Sequence, residues 1–245
     1  MWFHLELKGK GYGSAYAGVA TAAKPTGPFK FLKAGRVNPG KWPLNMDKKD
    51  QTTEFTKEMP DYVRIIRRDY PGGQMSRDMT VYVDDDGKAY HIYSAEENLT
   101  LNLAELTDDY LDYTGRYVRI APGGQNEAPT IFKRDGVYWM ITSGCTGWAP
   151  NEARMFKAAS LWGPWEQLPS PFVGKDAKKS FHTQGTYIFK VEGTEDGFVF
   201  MADRWNPQSL KNSRHIWLPI DFEADGTPVI RWVDSWSPKE WKSIR

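Results

Sequence analysis

The stretch Asp78-Met79-Thr80-Val81-Tyr82-Val83-Asp84-Asp85-Asp86-Gly87-Lys88-Ala89-Tyr90-His91-Ile92-Tyr93 decides how the chain is read. Two short runs of β-branched and aromatic residues flank an Asp-Gly pair, which predicts two strands joined by a tight turn. The pattern recurs. Thr130-Ile131-Phe132, Asp135-Gly136 and Val137-Tyr138-Trp139-Met140-Ile141-Thr142 predict a second hairpin. Thr186-Tyr187-Ile188-Phe189, a turn through Glu195-Asp196-Gly197, and Phe198-Val199-Phe200-Met201 predict a third. Hairpins at this spacing fit a sandwich, a barrel or a propeller.

Internal repetition separates these architectures. Superposing the first two Asp-Gly turns places Asp86 on Asp135, an offset of 49 residues, and the same offset places Asp78 on Glu127. Pro71-Gly72-Gly73-Gln74 ahead of Asp78 recurs as Pro122-Gly123-Gly124-Gln125 ahead of Glu127. Aligning Ile188-Phe189-Lys190 with Ile131-Phe132-Lys133 brings Gln184 onto Glu127. Asp78, Glu127 and Gln184 therefore share one position, where the first strand of each repeat begins. Near the N-terminus, Gly27-Pro28-Phe29 matches Gly163-Pro164-Trp165, and at that offset Trp2-Phe3-His4 falls on Tyr138-Trp139-Met140. Repeats of about 40 to 60 residues with several short strands each are propeller blades. The expectation is a single all-β propeller domain over 1–245. Its blades are an incomplete one at 1–40, then about 71–121, 122–170 and 178–245. The charged segment 41–70 reads as an insertion with one short helix. The first strand of a blade lines the central channel, so the three matched positions are expected to meet near the axis.

Composition excludes several classes of function. The chain has 245 residues and a net charge of +1, which gives no reason to expect nucleic acid or an acidic membrane as partner. Cys145 is the single cysteine, so no internal disulfide forms. No run approaches the ~18 apolar residues of a membrane-spanning helix, and the residues after Met1 lack the pattern of a signal peptide. Gly9, Gly11 and Gly13 miss the dinucleotide fingerprint, since Ser14 follows them. Asp84-Asp85-Asp86-Gly87 lacks the ligand spacing of a calcium loop.

At the matched positions the chain resembles glycoside hydrolase family 43, most closely its exo-β-1,3-galactanase subgroup. Arg77 through Tyr90 looks like the segment carrying the aspartate that tunes the acid's pKa. Glu127-Ala128-Pro129-Thr130-Ile131-Phe132-Lys133 looks like the segment of the general acid. Phe181-His182-Thr183-Gln184-Gly185-Thr186-Tyr187 is similar to the subgroup's stretch in which a glutamine stands near the place of the catalytic base. Ile141 through Trp148 and Met201-Ala202-Asp203-Arg204-Trp205 are similar as well. The resemblance implies a five-bladed propeller, with this chain an N-terminally truncated member of about four blades. It also implies a secreted or periplasmic full-length protein, and an oligo- or polysaccharide substrate.

Inverting glycoside hydrolysis needs an acid for the leaving oxygen and a group that acts on water from the opposite face. These roles fall to Glu127 as acid, Asp78 as the nearby charge that orients it and raises its pKa, and Gln184 as the residue that positions water or acts as base. The plainer reading makes Asp78 and Glu127 loop acids and Gln184 a partner for backbone groups. Asn98 and Trp148 are candidates for sugar contacts, through an amide and an aromatic face. Arg204 is a third substrate-binding candidate, with a structural ion pair as its alternative. No cofactor is expected. A structural calcium beside His182 is the one metal considered, and a hydrogen-bonded histidine explains that residue more simply. The expected activity is exo-acting, inverting release of galactose from β-1,3-galactan or arabinogalactan. The alternatives are an arabinofuranosidase or galactofuranosidase of the same family, and a non-catalytic propeller that only binds sugar.

Overall fold

A computed structural model describes residues 1–241. Strands dominate and group into four sheets. The first contains β1 (Trp2–Leu5), β2 (Tyr16–Thr21) and β3 (Lys30–Gly35). Two helices follow, α1 (Lys48–Thr52) and α2 (Asp61–Asp69). The second sheet runs in order through β4 (Met79–Val83), β5 (Ala89–Ala95), β6 (Thr100–Leu106) and β7 (Tyr113–Ile120). The third contains β8 (Asn126–Arg134), β9 (Val137–Gly144), β10 (Arg154–Ala158) and β11 (Glu166–Leu168). The fourth has β12 (Phe172–Val173), β13 (Gln184–Lys190), β14 (Phe198–Arg204), β15 (Arg214–Phe222) and β16 (Pro228–Arg231). Its β12 pairs in parallel with β16, whereas the other described ladders are antiparallel.

The turns follow from their residues. Asp135 and Gly136 have φ values of 51° and 77°, the left-handed pair that a two-residue hairpin turn requires. The turn between β4 and β5 is longer and uses positive φ at Gly87.

The chain forms two compact units, Met1–Glu127 and Ala128–Arg245. The first unit buries Ala17, Val37, Tyr93, Ala95, Ala104 and Tyr117 together. Every residue of β5 and β6 is buried, so both strands are covered on both faces. The second unit has a larger aromatic core around Phe132, Phe181, Phe198 and Phe200.

The 41–70 segment holds two helices where the sequence reading allowed one. Its charge conceals a short apolar stripe. Val63 and Ile66 of α2 lie three residues apart on one face and are buried with Met46. Asp61 in the first turn and Arg67 and Arg68 in the last complement the helix dipole.

Candidate active site

In the first unit, Asp78 directly precedes β4 and is exposed, while Glu127 is the second residue of β8 and half-buried. Buried Ser94 of β5 ties these two strand starts together. Its backbone N–H donates to the Asp78 carbonyl at 2.9 Å, and its Oγ donates to the Asn126 carbonyl at 2.9 Å. The contact to Asn126 needs the serine hydroxyl, whereas the contact to Asp78 uses only the Ser94 backbone.

Asn98 lies against Glu127. Its Nδ2 donates to Glu127 Oε1 at 2.6 Å. This contact depends on an unusual backbone: Glu96, Glu97 and Asn98 have φ values of 53°, 60° and 67°. Three consecutive left-handed residues without glycine cost on the order of 1–2 kcal/mol each, so the surroundings must hold them. Glu96 supplies the hold. Its buried carboxylate accepts from Arg119 Nε at 2.8 Å, Arg119 Nη2 at 2.6 Å and Thr100 Oγ1 at 2.7 Å. Arg119 Nη2 also donates to the Tyr62 carbonyl of α2. Burial pushes the Glu96 pKa up, and the charge and hydrogen bonds of Arg119 oppose that shift.

The second unit places Gln184, Trp148, Arg204 and His182 around one cavity of about 230 Å³, together with Ser143 and Trp205. Gln184 opens β13, and a bulge between Gly185 and Tyr187 re-aims the strand just beyond it. A Cβ on Gly185 would come within 3.0 Å of Thr130 and 3.1 Å of Phe200, so glycine lets the strand pack close there. Gln184 Nε2 donates to Ser143 Oγ at 2.9 Å, and Gln184 Oε1 accepts the Trp205 indole N–H at 3.0 Å.

Trp148 is 55% exposed and meets Trp205 edge to face, with ring centroids 5.4 Å apart. Its loop is closed by Asn151, which accepts from the Gly144 N–H and donates to the Gly144 carbonyl. Arg204 Nη2 donates to the Phe181 carbonyl at 2.6 Å, and its guanidinium sits over the Trp232 ring. That carbonyl belongs to a second left-handed run, Ser180, Phe181 and His182, with φ values of 48°, 54° and 60°. His182 is exposed, with Nε2 3.8 Å from Asp176 Oδ1. Among the described residues, no group of three His, Cys, Asp or Glu side chains is arranged to hold a metal ion.

Sequence reasoning did not single out Ser143, Trp205, Glu96 or Arg119. Trp205 and Ser143 stand inside motifs already quoted, but Trp205 reaches Gln184 through the β13–β14 pairing and Ser143 reaches it from β9, a strand of a different sheet. Gln184 faces Asp203 in the ladder, so residue 205 projects toward the same end two positions on. Glu96 and Arg119 carry no periodic or spacing signal.

The family model of glycosyl hydrolases family 43 matches residues 51–228. A family 43 β-1,3-galactosidase solved with galactodeoxynojirimycin is similar to this chain at 56% identity and a TM-score of 0.92, over 96% of this chain and 72% of that one. An exo-β-1,3-galactanase from Clostridium thermocellum is similar at 34% identity and a TM-score of 0.74, over 94% of this chain and 45% of that one. A β-D-galactofuranosidase from Aspergillus niger is 30% identical over 144 residues, which cover 58% of this chain and 41% of that enzyme. The chain thus spans less than half the length of the last two. With these neighbours, its four sheets are four blades of the family's five-bladed β-propeller. The chain belongs to glycosyl hydrolases family 43, a family of glycosidases.

Proposed function

We propose that the chain acts in the exo-hydrolysis of β-1,3-linked galactan or arabinogalactan-type glycans, releasing galactose with inversion. The observation that carries this reading is the 56% identity, over 96% of the chain, to a β-1,3-galactosidase. The local geometry is compatible with it. Glu127 is half-buried and held by Asn98, a setting suited to an acid that gives its proton to the glycosidic oxygen as that bond breaks. Asp78 occupies the equivalent position one blade earlier and acts as the charge that orients the acid and favours its protonated form. Water adds to the anomeric carbon from the opposite face. Gln184 positions that water through hydrogen bonds, and the proton the water sheds as the C–O bond forms passes to solvent, because an amide oxygen is too weak a base to retain it. Trp148, exposed at the rim of the Gln184 cavity, gives an apolar face for a pyranose ring.

Incubation with β-1,3-galactan, followed by NMR of the product, tests the reading. The expected result is free galactose whose first-formed anomer is α, inverted from the β-linkage. A second reading, β-galactofuranosidase, is favoured by the similarity to the Aspergillus niger enzyme. Cleavage of an aryl β-galactofuranoside with galactan left intact would select it. Galactan binding without any released sugar would instead select a sugar-binding propeller.

A further inference from the structure

The two hydrogen bonds on the Gln184 side chain are not interchangeable. An indole nitrogen only donates, whereas a serine hydroxyl both donates and accepts. The atom facing Trp205 Nε1 must therefore be the amide oxygen, and the atom facing Ser143 Oγ is the nitrogen. The amide's orientation is dictated by its partners. Ser143 is buried near the end of β9, and Trp205 is braced by Trp148, so both partners are held in place.

We propose that Trp205 and Ser143 are positioning residues for Gln184, fixing which end of its amide meets the attacking water. The inference rests on the reading of Gln184 as the water-positioning group. A water that donates a hydrogen to the amide oxygen keeps a lone pair for attack. A half-turn of the amide about its Cγ–Cδ bond would present N–H instead and occupy that lone pair. The donor-only indole forbids the half-turn, and Ser143 takes up the nitrogen that remains. Neither residue need touch the sugar to affect the rate.

The test compares two backgrounds. Trp205→Phe keeps the ring and removes the donor, and Ser143→Ala removes the acceptor. In the wild-type background Trp205→Phe is expected to lower kcat about 10- to 100-fold, with KM nearly unchanged, while Ser143→Ala, which leaves the indole in place, lowers it less and Ser143→Thr keeps most of the rate. In a Gln184→Glu background the two oxygens are equivalent and the half-turn has no consequence. There Trp205→Phe leaves the plateau rate nearly intact. It moves the acidic limb of the pH profile upward, because it removes a hydrogen bond to the charged form. An equal kcat loss in both backgrounds would show a merely structural tryptophan and overturn the proposal. A turnover-independent readout is amide-type exchange of the Trp205 indole N–H by NMR, expected to be slow in the wild type and fast in Gln184→Leu. An unprotected indole overturns the positioning. A protected indole in a chain that leaves galactan intact overturns the hydrolase reading alone.

Discussion

Two left-handed turns, Glu96–Asn98 and Ser180–His182, lead into candidate site residues, and they are held by opposite means. The first is braced by charge. Glu96 is fully buried and receives three hydrogen bonds, two of them from Arg119. The second is braced by neutral groups. Ser180 Oγ accepts from the Ala153 N–H and donates to the Asn151 carbonyl, while the Phe181 ring joins the aromatic core. Each turn stores backbone strain of similar size, so the difference lies in how each would fail. A buried ion pair fails badly when one partner is lost. A hydroxyl that satisfies two backbone groups fails by a smaller amount.

Chemistry gives the largest contrast between the regions. Glu127→Gln keeps a side chain that can still meet Asn98 but has no proton to give. Activity on galactan is expected to fall by ~10²–10⁴-fold, with the thermal midpoint close to that of the wild type. Near-normal turnover by this variant would remove Glu127 from the acid's role.

Stability separates the two turns next. Arg119→Ala leaves the Glu96 carboxylate buried without its cation, a loss of roughly 3–5 kcal/mol. Ser180→Ala strands the Ala153 N–H and is expected to cost about 1–3 kcal/mol. Urea unfolding of both variants measures the difference. Equal losses would break the distinction between charged and neutral bracing.

Much of this arrangement was legible in the sequence, and the parts that were not have a common cause. The Asp-Gly turns marked hairpins because their backbone demands are local. The repeat offsets place Asp78, Glu127 and Gln184 within one residue of a strand start. The side-chain chemistry of Asn98 suggests a sugar contact, and the structure commits its amide nitrogen to Glu127. The reason was invisible: nothing in Glu96-Glu97-Asn98 announces positive φ, since the strain is sustained by Arg119, 23 residues away. Arg204, read as a substrate contact or an ion-pair partner, donates to the Phe181 carbonyl, a contact set by tertiary packing. Helix α2 was obscured because its apolar stripe is only two residues wide within a charged segment.

Histidines give a third, intermediate contrast. His182, the last residue of the second turn, is exposed. His91, on the strand that leads into the first turn, is fully buried, stacked against Trp2 and Tyr93, with Nδ1 2.8 Å from the Tyr113 hydroxyl. Burial pushes its pKa down to about 3, from an ordinary 6.5. The unfolded chain takes up a proton below 6.5 that the folded chain refuses until about 3. Stability from this group is therefore complete above pH 6.5 and is lost as pH falls toward 3. At pH 5 the loss is about 2 kcal/mol relative to pH 7. His91→Phe is expected to flatten that part of the profile in urea titrations, and an unchanged slope would place the pH sensitivity elsewhere.

The smallest expected effect falls on binding and belongs to the second region. Trp148 is more than half exposed, and its loop is closed by Asn151 rather than by its own ring. Trp148→Ala should therefore change unfolding stability by no more than about 0.5 kcal/mol. If the ring serves as a platform for sugar, KM for galactan oligosaccharides rises while kcat stays close to wild type, the signature of binding lost equally from ground and transition states. The edge-to-face contact with Trp205 adds a second consequence. Removing Trp148 leaves the indole N–H bond to Gln184 without its lateral support, so any fall in kcat should track faster exchange of that N–H. A fall in kcat with the indole still protected would mean that Trp148 acts on the reacting sugar directly. A change in KM alone would confine it to substrate capture.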